Sequence, residues 1–232
     1  MKKDLYLNSQ TSGFVELVDV LGDSLTPVNA ARVSFAKESS ALSDKDKKLI
    51  KYLIKENHTS PFEHNVITLK FKVPLFVARQ HMRHRTWSFN EVSRRYTSLD
   101  IDFYSPQFFR EQHQSNRQAS VANSNFDPVL YNIKGEFADH PCQSSEALQT
   151  HIESSLFLYN KMLNSGIARE QARMVLPQNL YTTYIGTVNL NNLIKFIKLR
   201  DHEGAQQEIQ DMALACKAIA KSVWPEILEY LE

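Results

Sequence analysis

Ile67-Thr68-Leu69-Lys70-Phe71-Lys72-Val73-Pro74 is the clearest strand in the chain. Apolar Ile67, Leu69, Phe71 and Val73 alternate with polar Thr68, Lys70 and Lys72, the two-residue period of a half-buried strand. Pro74 then fits the first position of a helix, where its missing N–H costs nothing. That helix would run through Leu75-Phe76-Val77-Ala78 into an arginine-rich stretch. Upstream, Asp46 to Glu56 reads as a charged helix with Leu49, Leu53 and Ile54 on one side and Ser43 as its N-cap. Phe14 to Val20 reads as a short strand.

Downstream, residues 110–150 are rich in Gln, Asn and Ser and contain Pro128, Gly135 and Pro141, which predicts a long loop or lid. A helix follows from about Glu146 to Leu163, ended near Asn164-Ser165-Gly166, then a short helix from Ala168 to Leu176 stopped by Pro177. Leu180 to Val188 reads as a strand. Asn189 is a plausible N-cap for a helix in which Leu190, Leu193, Ile194 and Ile197 recur at helical spacing. A last amphipathic helix carries Ile209, Met212, Ala213, Cys216, Ile219 and Ala220 on its apolar stripe. With no internal repeat and no visible boundary, residues 1–232 are expected to form a single domain.

Composition removes several function classes. Lys plus Arg is 27 and Asp plus Glu is 26, so the formal charge of +1 is not that of a polybasic nucleic-acid or membrane binder. The 42% apolar content is enough for a core. Six glycines stand at 13, 22, 135, 166, 186 and 204, too far apart for a G-x-G-x-x-G fingerprint or a P-loop. A nucleotide, if bound, is bound without a glycine loop. Two cysteines, Cys142 and Cys216, exclude a disulfide scaffold or a cysteine-rich zinc site. Met1-Lys2-Lys3-Asp4-Leu5 leads into no apolar segment, and no run approaches about 18 apolar residues, so a soluble, cytoplasmic protein is expected.

Residues 79–95 hold five Arg and two His among 17 residues, with Glu91 as the only acid. Planar guanidinium forks suit a phosphate held bidentately. On a continuing helix, Gln80, Arg83 and His84 would share one face. Two other readings stay open at this point: a solvated basic face, or an RNA-binding module stacking bases on Trp87, Phe89 and Tyr96. A metal site is disfavoured because His81 and His84 lack an H-E-x-x-H context, and a serine hydrolase because no G-x-S-x-G elbow exists.

Arg83-His84-Arg85, followed after seven residues by Ser93, resembles the signature of flavin-dependent thymidylate synthases. The fuller pattern includes Ser88, Asn90, Glu91, Arg94 and Arg95. Three further blocks agree in order: His58-Thr59-Ser60-Pro61-Phe62-Glu63-His64, then Ala172-Arg173-Met174-Val175-Leu176-Pro177 with Asn179-Leu180-Tyr181, then Thr187-Val188-Asn189 with Leu199-Arg200. The resemblance implies an α+β fold, a mixed central sheet flanked by helices, assembled as a homotetramer with shared active sites. It implies methylation of deoxyuridine monophosphate at uracil C5, with methylenetetrahydrofolate as carbon donor and FAD reduced by NADPH. Its partners would be these small molecules, not nucleic acid or a membrane, and no metal is implied.

Residue by residue, the resemblance implies that Gln80, Arg83, Glu91, Ser93, Arg95 and Arg173 surround the nucleotide, the arginines facing its phosphate and Ser93 near it. It implies FAD contacts for Ser60, Arg83, His84, Arg85, Glu91, Asn189 and Asn191. Arg200 matches the arginine that favours ionised uracil N3, which with Ser93 makes the catalytic pair; His58 matches a histidine near the active site. Around the FAD-binding helix the family often carries an Asn and a His where this chain has Lys195 and Gly204, with His202 two residues early. Neither cysteine sits in an activating motif, so no cysteine nucleophile is expected.

Overall fold

A computed structural model of the chain describes residues 1–6, 9, 11–117, 119–131 and 141–231. Its main sheet has five strands in the order β1 (Lys2–Leu5), β2 (Gly13–Leu21), β3 (Val66–Pro74), β9 (Tyr181–Asn189) and β4 (Ser88–Glu91). Each neighbouring pair is antiparallel, so the expected mixed sheet is corrected to an antiparallel one. The reason is topological. β3 and β4 run the same way, but β9 is inserted between them and runs opposite to both.

The alternation that marked β3 is realised in full: Ile67, Leu69, Phe71 and Val73 are buried, and Lys70 and Lys72 lie on the other, partly open face. The buried face packs against α6 (Leu190–Arg200) and α7 (Gln207–Val223) in one cluster with Leu190, Leu193, Phe196, Ile209, Met212 and Cys216. The stripe expected on the last helix is wholly buried. Ser43 caps α2 (Asp44–Lys55) through a reciprocal capping box with Asp46. β1 and α1 (Thr26–Arg32) are short and carried no periodic signal.

Two boundaries differ from expectation. Pro74, with ψ of 150°, is the N-cap of α3 (Leu75–His81), one position earlier than read, because it still pairs with Tyr181 as the last residue of β3. The supposed loop at 110–150 contains β5 (Phe109–Gln112) paired with β6 (Ser120–Phe126), and β7 (Val129–Leu130) paired with β8 (Cys142–Gln143). Its stretch 132–140, with Gly135, lies outside the described residues. α4 (Ser144–Asn164) and the single turn α5 (Arg169–Ala172) then pack Ile152, Tyr159 and Ala172 against Phe103, Leu176 and Leu180, a second and smaller cluster.

Candidate active site

The arginine-rich stretch does not continue as a helix. α3 stops at His81, a turn passes through Thr86 at φ 73°, and Ser88–Glu91 pairs with β9. Gln80, Arg83 and His84 therefore do not share a helical face. The cause lies in Trp87 and Phe89, which stack at 5.8 Å and pack over Gly186 of β9. A Cβ at 186 would meet Phe71, Trp87 and Phe89 at 3.1, 3.2 and 3.3 Å, so the missing side chain is what lets β4 lie down on the sheet. Trp87 is buried and Phe89 partly buried, which withdraws two of the three aromatics from any base-stacking role; Tyr96 alone is exposed.

His84, in that turn, accepts a hydrogen bond at Nε2 from Arg200 Nε at 3.0 Å. Arg200 sits in the last turn of α6. Burial, then the nearby guanidinium, pushes the His84 imidazole down to about 4, so it is a neutral acceptor at physiological pH. A neutral partner orients the guanidinium without cancelling its charge. Beneath it, His81 is fully buried, bonded at Nδ1 to Tyr184 Oη at 2.8 Å, and held neutral first by burial and then by His84 and Arg200.

The opposite end of α6, about 15 Å away along the helix, gathers a second group. Asn189 is its N-cap and accepts from the Asn192 amide at 3.0 Å. Buried Asn191 donates to Glu63 Oε1 at 3.0 Å, which ties α6 to the Ser60–Glu63 turn and so brings Ser60 alongside. Free N–H groups of a helix start favour an anion there.

A third group lies beyond β4. Glu91 Oε1 accepts from Thr182 Oγ1 at 2.5 Å, and the Arg95 amide donates to Ser93 Oγ at 3.2 Å. Arg95 pairs with the Glu170 carboxylate at 3.5 Å, while Arg173 donates to the Glu170 carbonyl at 3.3 Å. The family resemblance puts these two arginines around one phosphate, and the fold brings them together around Glu170. Arg83 and Arg85 are exposed and form no ion pair among the described residues. Gln80 donates to Gln206, which in turn donates to the buried carboxylate of Glu208 at 2.8 Å. Gln206, Glu208 and Glu170 were missed. For Glu208 a signal existed: it lies four residues before Met212, on the apolar stripe of α7.

Where the family pattern is broken, Lys195 is exposed, and His202 turns its Nδ1 to the Gly204 amide at 3.0 Å. His58 is exposed, its ring edge-on to Tyr52 at 5.6 Å. Cys216 is buried with its thiol pushed far up by desolvation, and Cys142 is buried in β8. No helix among the described residues is long and apolar enough to cross a membrane.

Known proteins resemble the chain over most of its length. The family model described as thymidylate synthase complementing protein matches residues 16–226. The chain is 42% identical to the flavin-dependent thymidylate synthase of Thermosipho melanesiensis over 217 residues, covering 94% of this chain and 89% of that one. It is 42% identical to the protein of the same name from Thermus thermophilus, covering 94% and 77%. Among solved structures, the UMP/dUMP methylase PolB from Streptomyces cacaoi bound with 5-Br dUMP superposes with a TM-score of 0.77 at 32% identity, covering 94% of each chain. With a family model spanning most of its length and relatives this similar, the chain belongs to the flavin-dependent thymidylate synthase family.

Proposed function

We propose that this chain is an FAD-dependent thymidylate synthase, a methyltransferase that converts deoxyuridine monophosphate to thymidylate with methylenetetrahydrofolate as carbon donor and NADPH as reductant. The observation that carries the reading is Arg200, aimed by a neutral His84 and left with its full charge. A guanidinium beside the uracil N3 stabilises the anion and lowers the pKa of the ring. Ionisation raises electron density at C5, the atom that must attack carbon, with no enzyme thiolate at C6.

The remaining residues take binding roles. Arg95 and Arg173, already neighbours across Glu170, would hold the nucleotide phosphate with Ser93 beside it. Gln80, Arg83 and Glu91 would complete the nucleotide site. The donor set also fits an anionic dinucleotide: Arg83 and Arg85 are exposed cations, and Asn189, Asn191 and Ser60 cluster at a helix start. His84 and Glu91 would complete that site, and FAD held there would supply the reducing equivalents that turn the transferred carbon into a methyl group. The test is direct. Purified protein should bind FAD, absorb as a flavoprotein, and form thymidylate only when deoxyuridine monophosphate, methylenetetrahydrofolate and NADPH are all present. A colourless protein that ignores FAD and binds RNA with a steep salt dependence would favour the nucleic-acid reading instead.

A further inference from the structure

Glu208 is a buried carboxylate whose two oxygens accept four hydrogen bonds. It sits in the first turn of α7, only 4% exposed, where the helix dipole favours an anion. Its Oε1 accepts from Tyr104 Oη at 3.0 Å and Arg110 Nη2 at 2.8 Å; its Oε2 accepts from the same Arg110 nitrogen at 2.9 Å and from Gln206 Nε2 at 2.8 Å. All of these groups are donors. Tyr104 remains a phenol, because burial and then the Glu208 charge push its ionisation far up.

A carboxylate in that setting only accepts, so the amide of Gln206 has one permitted orientation. Its N–H₂ must face Glu208 and its carbonyl must face away. That carbonyl, Oε1, is what Gln80 Nε2 donates to. Gln80 is thereby fixed in turn: its nitrogen is committed inward, and its own Oε1 is the atom turned outward. We propose that Glu208 is a positioning residue that, through Gln206, sets the polarity of Gln80, so that Gln80 offers the nucleotide a hydrogen-bond acceptor for a hydroxyl. This rests on the reading of Gln80 as a nucleotide contact. It also gives the β5 excursion a purpose, since Arg110 of β5, steadied by Ser120 Oγ at 2.8 Å, holds the carboxylate that starts the relay.

The test is a double-mutant cycle on the FAD-loaded protein, read as affinity for deoxyuridine monophosphate. Gln80→Glu sets acceptor against acceptor at Gln206 and should weaken binding about tenfold or more. Adding Glu208→Gln frees Gln206 to turn round and present its N–H₂ to position 80, so the double variant should regain most of that loss. Recovery by a second, individually harmful substitution is something general loosening of the fold does not produce. Penalties that add would overturn the relay. If Gln80→Glu and Gln80→Ala both leave affinity unchanged, the proposal falls with the assignment of Gln80 to the site, an outcome the single variants reveal by themselves. Should Glu208→Gln not fold, Gln206→Met leaves the Glu208–Arg110 pair whole; it should weaken binding about tenfold, and unchanged binding would refute the relay.

Discussion

His84 keeps a neutral ring in the pH range where most histidines titrate. Its ionisation lies at about 4 against an ordinary 6.5, first through burial and then through Arg200. Between those values an unfolded chain binds a proton that the folded one does not, so stability present above about pH 6.5 is lost as pH falls toward 4. His81 is shifted the same way and adds to the loss. Thermal unfolding followed across this window should show the midpoint falling with pH, and His84→Gln should flatten part of that slope. A slope identical to the parent's would remove His84 from the cause. Arg200→Lys makes a separate demand. It keeps a charge but loses the Nε donor that bonds His84 and the planar fork, so turnover should fall by an order of magnitude or more while FAD content holds. Near-parental turnover would argue against N3 ionisation by this residue.

At the scale of elements, the joint between α3 and β4 decides where the arginines point, and Gly186 is what permits it. Gly186→Ala would press on three aromatic rings at 3.1–3.3 Å and lift β4 from β9. The expected cost is about 1–3 kcal/mol, read from urea unfolding, and an unchanged midpoint would show that the rings yield freely. This joint was not legible beforehand. The sequence before Arg83 reads as helix, and the decisive contact, Trp87 and Phe89 over Gly186, spans about a hundred residues. β3, α6 and α7 were legible because each shows one clean period, two or 3.6, over its whole length. The β5–β6 pair was not, since its Gln, Asn and Ser residues carry no alternation and Arg110 is held by a distant Glu208. The site splits likewise. Most of the proposed contacts lie in motif blocks, with Gln80 and Asn191 just outside them, whereas Gln206 and Glu208, proposed to act through Gln80, lie beyond the last block.

The whole molecule divides the expected site among three places: the His84–Arg200 end of α6, its Asn189–Asn191 start, and the Arg95–Arg173 pair at Glu170. Among the described residues no hydrogen bond or ion pair joins the third group to the first. Apolar side chains also stand in the open, including Ile185 at 41% on the free face of the sheet and Phe157 at 64% on α4. We propose that both features reflect an assembly in which neighbouring chains complete one another's sites. Light scattering is expected to give a mass of about 107 kDa, four times the 26.8 kDa chain; a monodisperse monomer with full turnover would rule out shared sites.

We propose that thymidylate is made here by electrostatic activation of the nucleotide with FAD, without a cysteine bond to uracil. Cys216 is buried with a thiol that resists ionisation, and Cys142 is buried in β8. The most direct measurement is thymidylate formation by the Cys142→Ser, Cys216→Ala double variant at saturating FAD, NADPH, methylenetetrahydrofolate and deoxyuridine monophosphate. Product is expected only with FAD present, at a rate reduced at most by the stability lost from α7 packing. No product from a folded variant that still binds FAD would contradict it and return the reaction to a cysteine nucleophile.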